Sequence, residues 1–158
     1  MKNELIIETR EFGVLKVKPE DIITFVLPII GFEESLRFVL VEDKDFFPIQ
    51  WLQSVDESGL LFPIVNPGYF KVQHDLNAAS FNLADIKLEN PDDALVYTLL
   101  VIPSDNFEDA RTNLRAPIIV NAREKLAKQV VYDDDKYPVQ FFLFKKNEQK
   151  KSKDSAGS

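Results

Sequence analysis

The sequence predicts a mainly β protein: a single compact antiparallel domain, barrel-like or a sandwich, with one or two short helices. Short runs of β-branched and aromatic residues recur about every ten residues, as in antiparallel sheets. Nine prolines stand mostly between these runs, where turns are expected. We expect residues 1–144 to form this domain and residues 145–158 to form a basic, disordered tail, because the tail has few apolar groups.

The first part of the chain predicts a series of strands separated by turn residues. These runs are rich in residues that favour strands: Leu5–Thr9, Val14–Val17, Ile22–Val26, Arg37–Val41, Ile49–Val55 and Leu60–Val65. Gly13 lies in the first turn and is expected to take a positive φ, since it has no Cβ. Pro63 removes a backbone donor from its strand, which is therefore expected at a sheet edge or at a bulge.

The second part of the chain predicts one helix, one helical turn and the remaining strands. In chain order, these are a helix over Asn77–Ala84 with Asn77 as its N-cap, a strand over Ala94–Ile102, a helical turn over Phe107–Arg111 and a final strand or helix over Val139–Phe144. Between the last two, residues 112–134 predict two strands joined by a turn. The alternation of apolar and polar positions through Ala127, Gln129 and Val131 indicates one buried and one exposed face.

The charge is unevenly distributed along the chain. The net charge is −7, but residues 145–154 carry five lysines against Glu148 and Asp154, a local charge of +3, so the remaining body carries −10. An acidic body repels phosphate backbones, which argues against direct nucleic-acid binding and favours a basic protein partner. Acidity that serves only solubility remains the alternative.

Composition limits the location and the chemistry of the protein. No run approaches the roughly 20 apolar residues of a membrane helix, and the polar N-terminus lacks an apolar signal core. The chain has no cysteine, which excludes disulfides and thiolate chemistry. We therefore expect a cytoplasmic protein without membrane contact, and a monomer.

Residue patterns for catalysis or metal binding are weak. His74 is the single histidine and is expected on the surface or in a loop, since a general base needs a positioned nucleophile or metal. Asp133, Asp134 and Asp135 lack the spacing of a calcium loop, so turn and solubility roles are favoured. We expect that the protein is not an enzyme and that it has neither a metal site nor a cofactor.

Two adjacent aromatic pairs allow two interpretations. Phe46-Phe47 and Phe141-Phe142 place neighbouring rings on opposite sides of an extended chain. Two packed layers could each take one ring. Alternatively, an exposed ring marks an interaction surface, and we include Phe46 and Phe47 among the candidate partner-binding residues.

Four stretches in order carry a resemblance to a known family. They are Phe12-Gly13, residues 21–25 running to Gly31-Phe32, residues 51–56 followed by Phe62–Pro67, and the segment from Asn113-Leu114-Arg115-Ala116-Pro117-Ile118 through Lys128-Gln129-Val130-Val131 to Asp133-Asp134 and Tyr137-Pro138. Together they resemble the flagellar assembly factor FliW, and the similarity spans residues 4–138.

The resemblance implies a compact barrel-like fold and two alternative protein partners. One is CsrA, a small basic RNA-binding dimer that represses translation, and the other is newly made flagellin. The family binds CsrA until unsecreted flagellin displaces it, so that flagellin synthesis follows export. A flagellin chaperone without a translational role and a carboxylate-based hydrolase remain alternatives.

The candidate binding surface is the Asn113-Leu114-Arg115 corner together with Gln53 and Ser54 on a neighbouring strand. Polar groups at such an edge can satisfy a partner's backbone donors and acceptors. The planar guanidinium of Arg115 suits a partner carboxylate or carbonyl pair. The alternative is an internal bridge from Arg115 to Asp133 or Asp134 that only holds the fold.

Overall fold

The computed structural model describes residues 4–76, 82–103 and 106–144. Its strands are β1 (Leu5–Thr9), β2 (Gly13–Val17), β3 (Ile23–Phe25), β4 (Arg37–Glu42), β5 (Ile49–Ser54), β6 (Leu61–Val65), β7 (Ala94–Val101), β8 (Arg111–Thr112), β9 (Ile118–Asn121), β10 (Leu126–Gln129) and β11 (Phe141–Phe142). The lysine-rich tail and the first residues of the expected helix, 77–81, lie outside the described residues.

Seven of these strands close into a barrel. Their order is β7-β6-β5-β4-β3-β10-β9, and β9 pairs back to β7. Neighbouring strands run antiparallel, except β3 and β10, which are parallel. Closure leaves none of the seven as a free sheet edge. The prediction of a mainly β, barrel-like domain is confirmed.

The other strands extend this barrel. β8 pairs with the end of β7, and β11 pairs with β8. β1 and β2 form a separate hairpin, in which Ile7 and Val17 pack on Val39 of β4. Gly13 has φ +67° in the turn of this hairpin, as the sequence predicts.

Alternation along β4 shows how the two sides of the barrel wall are filled. Phe38 and Leu40 face the interior, where Phe38 meets Phe25 edge-on with ring centroids 5.3 Å apart. Val39 points outward and is covered by the β1–β2 hairpin. Full burial of such a side chain stabilises the fold by about 1.5–3 kcal/mol. The other buried interior residues are Ile23, Ile29, Leu52, Ile64, Tyr97, Ile118, Val120 and Ala127.

The described helices are single 3₁₀ turns. They cover Pro19–Asp21, Lys44–Phe46, Pro67–Phe70, Leu83–Ile86, Pro91–Asp93 and Phe107–Asp109. Most of them begin after a side chain that accepts a backbone N–H of the turn, namely Asp43, Asn66, Asn82, Asn90 and Asn106. The helical turn predicted over Phe107–Arg111 is present over Phe107–Asp109, whereas Arg111 begins β8. None of the helices in the described ranges is long and apolar enough to cross a membrane.

The expected edge position of the Pro63 strand is wrong. β6 lies between β5 and β7 in the barrel. However, β6 pairs with β7 only through Ile64 and Val65, whereas Pro63 stands opposite Trp51 of β5 alone. The missing backbone donor of the proline is tolerated because the strand has one neighbour at that position.

The expected alternation through the signature hairpin is also wrong. β10 ends at Gln129, and the Val130 N–H donates to the Pro117 carbonyl at 2.9 Å as the chain leaves the sheet. Val130 is consequently buried, whereas Val131 is 56% exposed and does not share the burial of Ala127. The first strand of the pair is interrupted as well, because the 113–117 corner separates β8 from β9.

Candidate protein-interaction surface

Five aromatic side chains form two groups of ring contacts, which are joined by the adjacency of Phe46 and Phe47 in the chain. We call Phe46, Phe47, Trp51, Tyr69 and Phe107 the aromatic surface. Phe46 stacks on Phe107 with centroids 5.9 Å apart and meets Trp51 edge-on at 5.9 Å, and Phe47 meets Tyr69 edge-on at 4.9 Å. These arrangements are favourable for aromatic pairs.

Much of this aromatic area is open to solvent. Phe47 is 65% exposed and Tyr69 is 56% exposed. Phe46 and Phe107 are each 39% exposed. Both members of the Phe46-Phe47 pair therefore reach the surface, so the packed-layer interpretation does not hold for this pair. Clustered exposed apolar side chains often mark interaction sites in soluble proteins.

Most of the charged side chains next to Phe46 and Phe107 in the chain are acidic, although Lys44 is also exposed there. Asp45 precedes Phe46 and Glu108 follows Phe107, and both carboxylates are exposed. The Asp45 N–H donates to the Asp43 carboxylate at 3.0 Å, which fixes the turn that presents Phe46. An apolar surface with an acidic border fits a partner that offers apolar and basic groups.

Sequence reasoning included Phe46 and Phe47 but missed the other three members. Trp51 lies in β5, Tyr69 in the turn Pro67–Phe70, and Phe107 in the turn Phe107–Asp109. Trp51 lies only five residues after Phe46, whereas Tyr69 and Phe107 are remote in sequence and depend on the pairing of β5 with β6 and of β6 with β7. No local pattern could have indicated that juxtaposition.

Gln53 and Ser54 are buried and organise the β5–β6 turn. The Gln53 Nε2 donates to the carbonyl oxygens of Ser54 at 3.1 Å and of Ser58 and Leu60 at 3.3 Å each. The Ser54 Oγ accepts the N–H of Glu57 at 2.9 Å. Neither side chain reaches the surface, which argues against direct contact with a partner.

The structure does not bring Gln53 and Ser54 beside the Asn113-Leu114-Arg115 corner. β6 and β7 lie between β5 and the strands that flank this corner. Leu114 is 2% exposed and belongs to a buried cluster, so it too is unavailable on the surface. The expected combination of these segments into one surface is therefore wrong, because they lie on different walls of the barrel.

Arg115 is engaged inside the protein. Its Nε donates to the Tyr137 carbonyl at 2.8 Å, and its guanidinium lies 3.5 Å from the Asp135 carboxylate. The Asn113 side chain accepts the Arg115 N–H at 2.9 Å. The internal bridge thus exists, but with Asp135 in place of the expected Asp133 or Asp134. Asn113 and Arg115 remain candidate contacts only through their exposed parts.

His74 lies in a loop, one of the two expected positions, but it is half-buried there. Its Nε2 lies 2.7 Å from the Leu114 carbonyl, and its ring stacks on Tyr137 and contacts Tyr132. Burial lowers the pKa of His74 and outweighs the hydrogen bond to Leu114, which raises it. Burial also raises the pKa of Tyr132, whose hydroxyl donates to the Asp75 carbonyl at 2.7 Å. This network attaches the loop 72–76 to the corner.

A groove of about 530 Å³ opens beside His74, bordered by Asn66, Val72, Asp92 and Val96. Within the described ranges, no group of three His, Asp or Glu side chains could hold a metal ion. Asp134 accepts the Lys136 N–H at 3.0 Å. Together with the pairing of Asp135 with Arg115, this contact gives the acidic run a turn-forming role.

Fold and surface together define a small closed β-barrel domain with an exposed aromatic surface suited to protein contacts. The family model described as FliW protein matches residues 6–143. The flagellar assembly factor FliW of Caldicellulosiruptor saccharolyticus is 34% identical over 139 residues, covering 88% of this chain and 90% of that protein. The factor of Leptospira biflexa is 34% identical, with 84% and 87% covered.

Solved structures agree with the sequence comparison. A crystal structure of the flagellar assembly factor FliW superposes with a TM-score of 0.78 and 31% identity, covering 90% of this chain and 99% of that one. The chain therefore belongs to the FliW family of flagellar assembly factors. The resemblance seen in the four sequence stretches is confirmed.

Proposed function

We propose that this flagellar assembly factor binds and antagonises the translational regulator CsrA, and alternatively binds flagellin. In this scheme free factor holds CsrA away from flagellin messenger RNA, and unsecreted flagellin displaces CsrA. Flagellin synthesis is thereby coupled to export. The protein acts in the cytoplasm as a monomer, without a cofactor, without catalysis and without direct contact with nucleic acid.

The exposed aromatic surface is the observation that carries this proposal. Aromatic rings that are exposed in the free protein contribute most to the free energy of binding when a partner buries them. Aromatic residues also dominate the binding energy of protein interfaces. The acidic border and the charge of −10 on the body favour a basic partner such as CsrA, and they disfavour nucleic acid. We assign Phe46 and Phe47 to partner contact on this basis.

Binding of each purified partner to a surface variant tests the assignment. Removing both exposed rings with Phe47→Ala and Tyr69→Ala is expected to weaken capture of at least one partner by tenfold or more, on the order of 1.4 kcal/mol. The matched control is Ile6→Ala on the β1–β2 hairpin, since Ile6 is 67% exposed and Phe47 is 65% exposed. Both proteins should keep their melting temperatures.

The same measurement separates the alternatives. Binding of flagellin and CsrA with mutual displacement supports the regulator. Binding of flagellin without CsrA identifies a dedicated chaperone. Equal capture by the double variant and by the wild-type chain would move the binding site away from the aromatic surface.

A further inference from the structure

The last described residues bring the end of the chain beside the aromatic surface. β11 pairs with β8, and the Leu143 N–H donates to the Ala110 carbonyl at 3.1 Å. Ala110 directly follows the turn that carries Phe107. Leu143 is buried in a cluster against which Trp51 also packs, whereas Phe144 is exposed. Phe144, the last described residue, therefore lies close to the turn that carries Phe107.

The charge of this following segment is complementary to the border of the surface. Residues 145–153 contain five lysines and one acidic residue, Glu148. Extended, a segment of this length spans up to roughly 30 Å, enough to cross several side chains. Asp45 and Glu108 lie next in sequence to the stacked rings of Phe46 and Phe107. Lysine ammonium groups are attracted both to carboxylates and to the faces of aromatic rings.

We propose that residues 145–153 lie across the aromatic surface of their own chain. The lysines contact the open faces of Phe47, Tyr69 and Phe107 and neutralise the acidic border. Each of these contacts is weak at an exposed site, so the segment stays in exchange and is released by salt. The contact reduces the exposed apolar area of the free protein and leaves the surface accessible to a stronger ligand.

The acidic border also disfavours binding of a second copy of the chain or of an anionic lipid surface at the aromatic surface. A second copy of this chain would place two acidic borders face to face, which is unfavourable. An anionic lipid surface would be repelled by the same carboxylates. The tail combines positive charge with tethering beside the site, and tethering replaces bimolecular association by a high effective concentration. Competition between the tail and a partner for this surface rests on the proposed function, whereas the contact of the tail with the surface does not.

A spin label on the tail tests the contact directly in the full-length chain. The chain has no cysteine, so Ser152→Cys provides a single attachment site for a nitroxide. At low salt we expect selective broadening of the amide resonances of Asp45, Phe47 and Glu108. The resonances of Glu33 and Glu34, at the opposite end of β4, should be unaffected. Raising the salt to about 0.5 M should remove the broadening, because charges are then screened over a few Å.

The matched control replaces the five tail lysines by glutamine in the same labelled chain. The proposal requires this change to abolish the selective broadening while the amide spectrum of the barrel stays intact. Broadening that persists in the glutamine tail, that centres on Asp133–Asp135, or that is absent at low salt would overturn it. No partner protein is present in this experiment, so its outcome is independent of whether CsrA or flagellin binds.

Discussion

The imidazole of His74 lies stacked on the phenol ring of Tyr137, with centroids 4.6 Å apart and ring planes inclined by 8°. Its Nε2 lies 2.7 Å from the Leu114 carbonyl, which is an acceptor, so this nitrogen carries the proton of the neutral ring. The Nδ1 is buried and has no hydrogen-bond partner in the described part of the chain. A second proton on this ring would therefore be placed without an acceptor.

This arrangement predicts a loss of stability in mild acid. The pKa of His74 is lowered by burial from its ordinary value of 6.5, so the unfolded chain binds the proton more readily than the folded one. The contribution of His74 to the free energy of unfolding should be fully present well above pH 6.5 and should be lost as the pH falls through and below 6.5, because unfolded His74 protonates first. Urea midpoints at pH 7.5 and pH 5.5 measure the effect.

His74→Gln provides the control, because His74 is the single histidine of the chain. Tyr132 and Tyr137, which contact the ring, and Asp75, the next residue in the chain, are unchanged in this variant. The variant should have a smaller difference between the two midpoints than the wild-type chain. An equal difference in both proteins would assign the acid sensitivity to carboxylates instead.

Arg115→Ala should destabilise the domain by about 1–3 kcal/mol, since it removes a charge-assisted hydrogen bond to the Tyr137 carbonyl and leaves that acceptor unpaired. Arg123→Ala is the matched control, because Arg123 is 76% exposed and lies 3.9 Å from Asp93. Thermal melting of both variants checks the prediction. Unchanged melting of Arg115→Ala with weaker capture of CsrA or flagellin would instead identify Arg115 as a contact residue.

Gln53→Met should cost about 1 kcal/mol, because the buried Ser54 carbonyl loses the Gln53 donor, whereas the Ser58 and Leu60 carbonyls keep the N–H groups of Arg10 and Ser54. The same substitution at the exposed Gln140 should be nearly neutral. Guanidinium midpoints compare the two variants. Equal midpoints would show that the backbone of the turn is fixed without the Gln53 side chain.

The sequence predicted those features of the fold that depend on a single residue type at one position. Gly13 takes positive φ because it lacks a Cβ, and the run at Phe107 forms its single turn because Asn106 caps it. The pairing of strands that are not consecutive in the chain could not be predicted. The parallel contact of β3 with β10 and the closure of β7 on β9 join segments far apart in the chain, and a single sequence carries no signal for such contacts.

The candidate site shows the same limit. Gln53 looks like a polar strand-end residue in the sequence, yet the curvature of the β5–β6 turn directs its amide inward onto backbone carbonyls. Arg115 was expected to meet Asp133 or Asp134, but the chain turns at Asp134 and places Asp135 near the guanidinium instead. Both outcomes depend on turn geometry, which residue types constrain only loosely.

A chain that ends at Phe144 should fold with an unchanged melting temperature. Leu143 is the last described side chain that is buried, and the residues after Phe144 contribute few apolar groups. A chain that ends at Val139, and so lacks β11, is the contrasting variant and should be destabilised, because Phe141 and Leu143 leave the core. A large drop in melting temperature for the Phe144 chain would show that the tail contributes to folding.

Association of the Phe144 chain with CsrA should slow as salt rises. This chain carries a net charge of −10 and lacks the lysines of residues 145–153, so its net attraction for a basic partner is stronger than that of the full-length chain. Screening lengths fall from about 10 Å at 0.1 M salt to about 3 Å at 1 M, and most long-range steering is then lost. Stopped-flow association rates at increasing salt measure this directly.

Two double variants locate the charges that steer the encounter. Asp45→Asn with Glu108→Gln should reduce the salt dependence more than Glu33→Gln with Glu34→Gln, which removes the same charge at the opposite end of β4. A rate independent of salt would contradict electrostatic steering, and equal effects of the two double variants would place the encounter away from the aromatic surface.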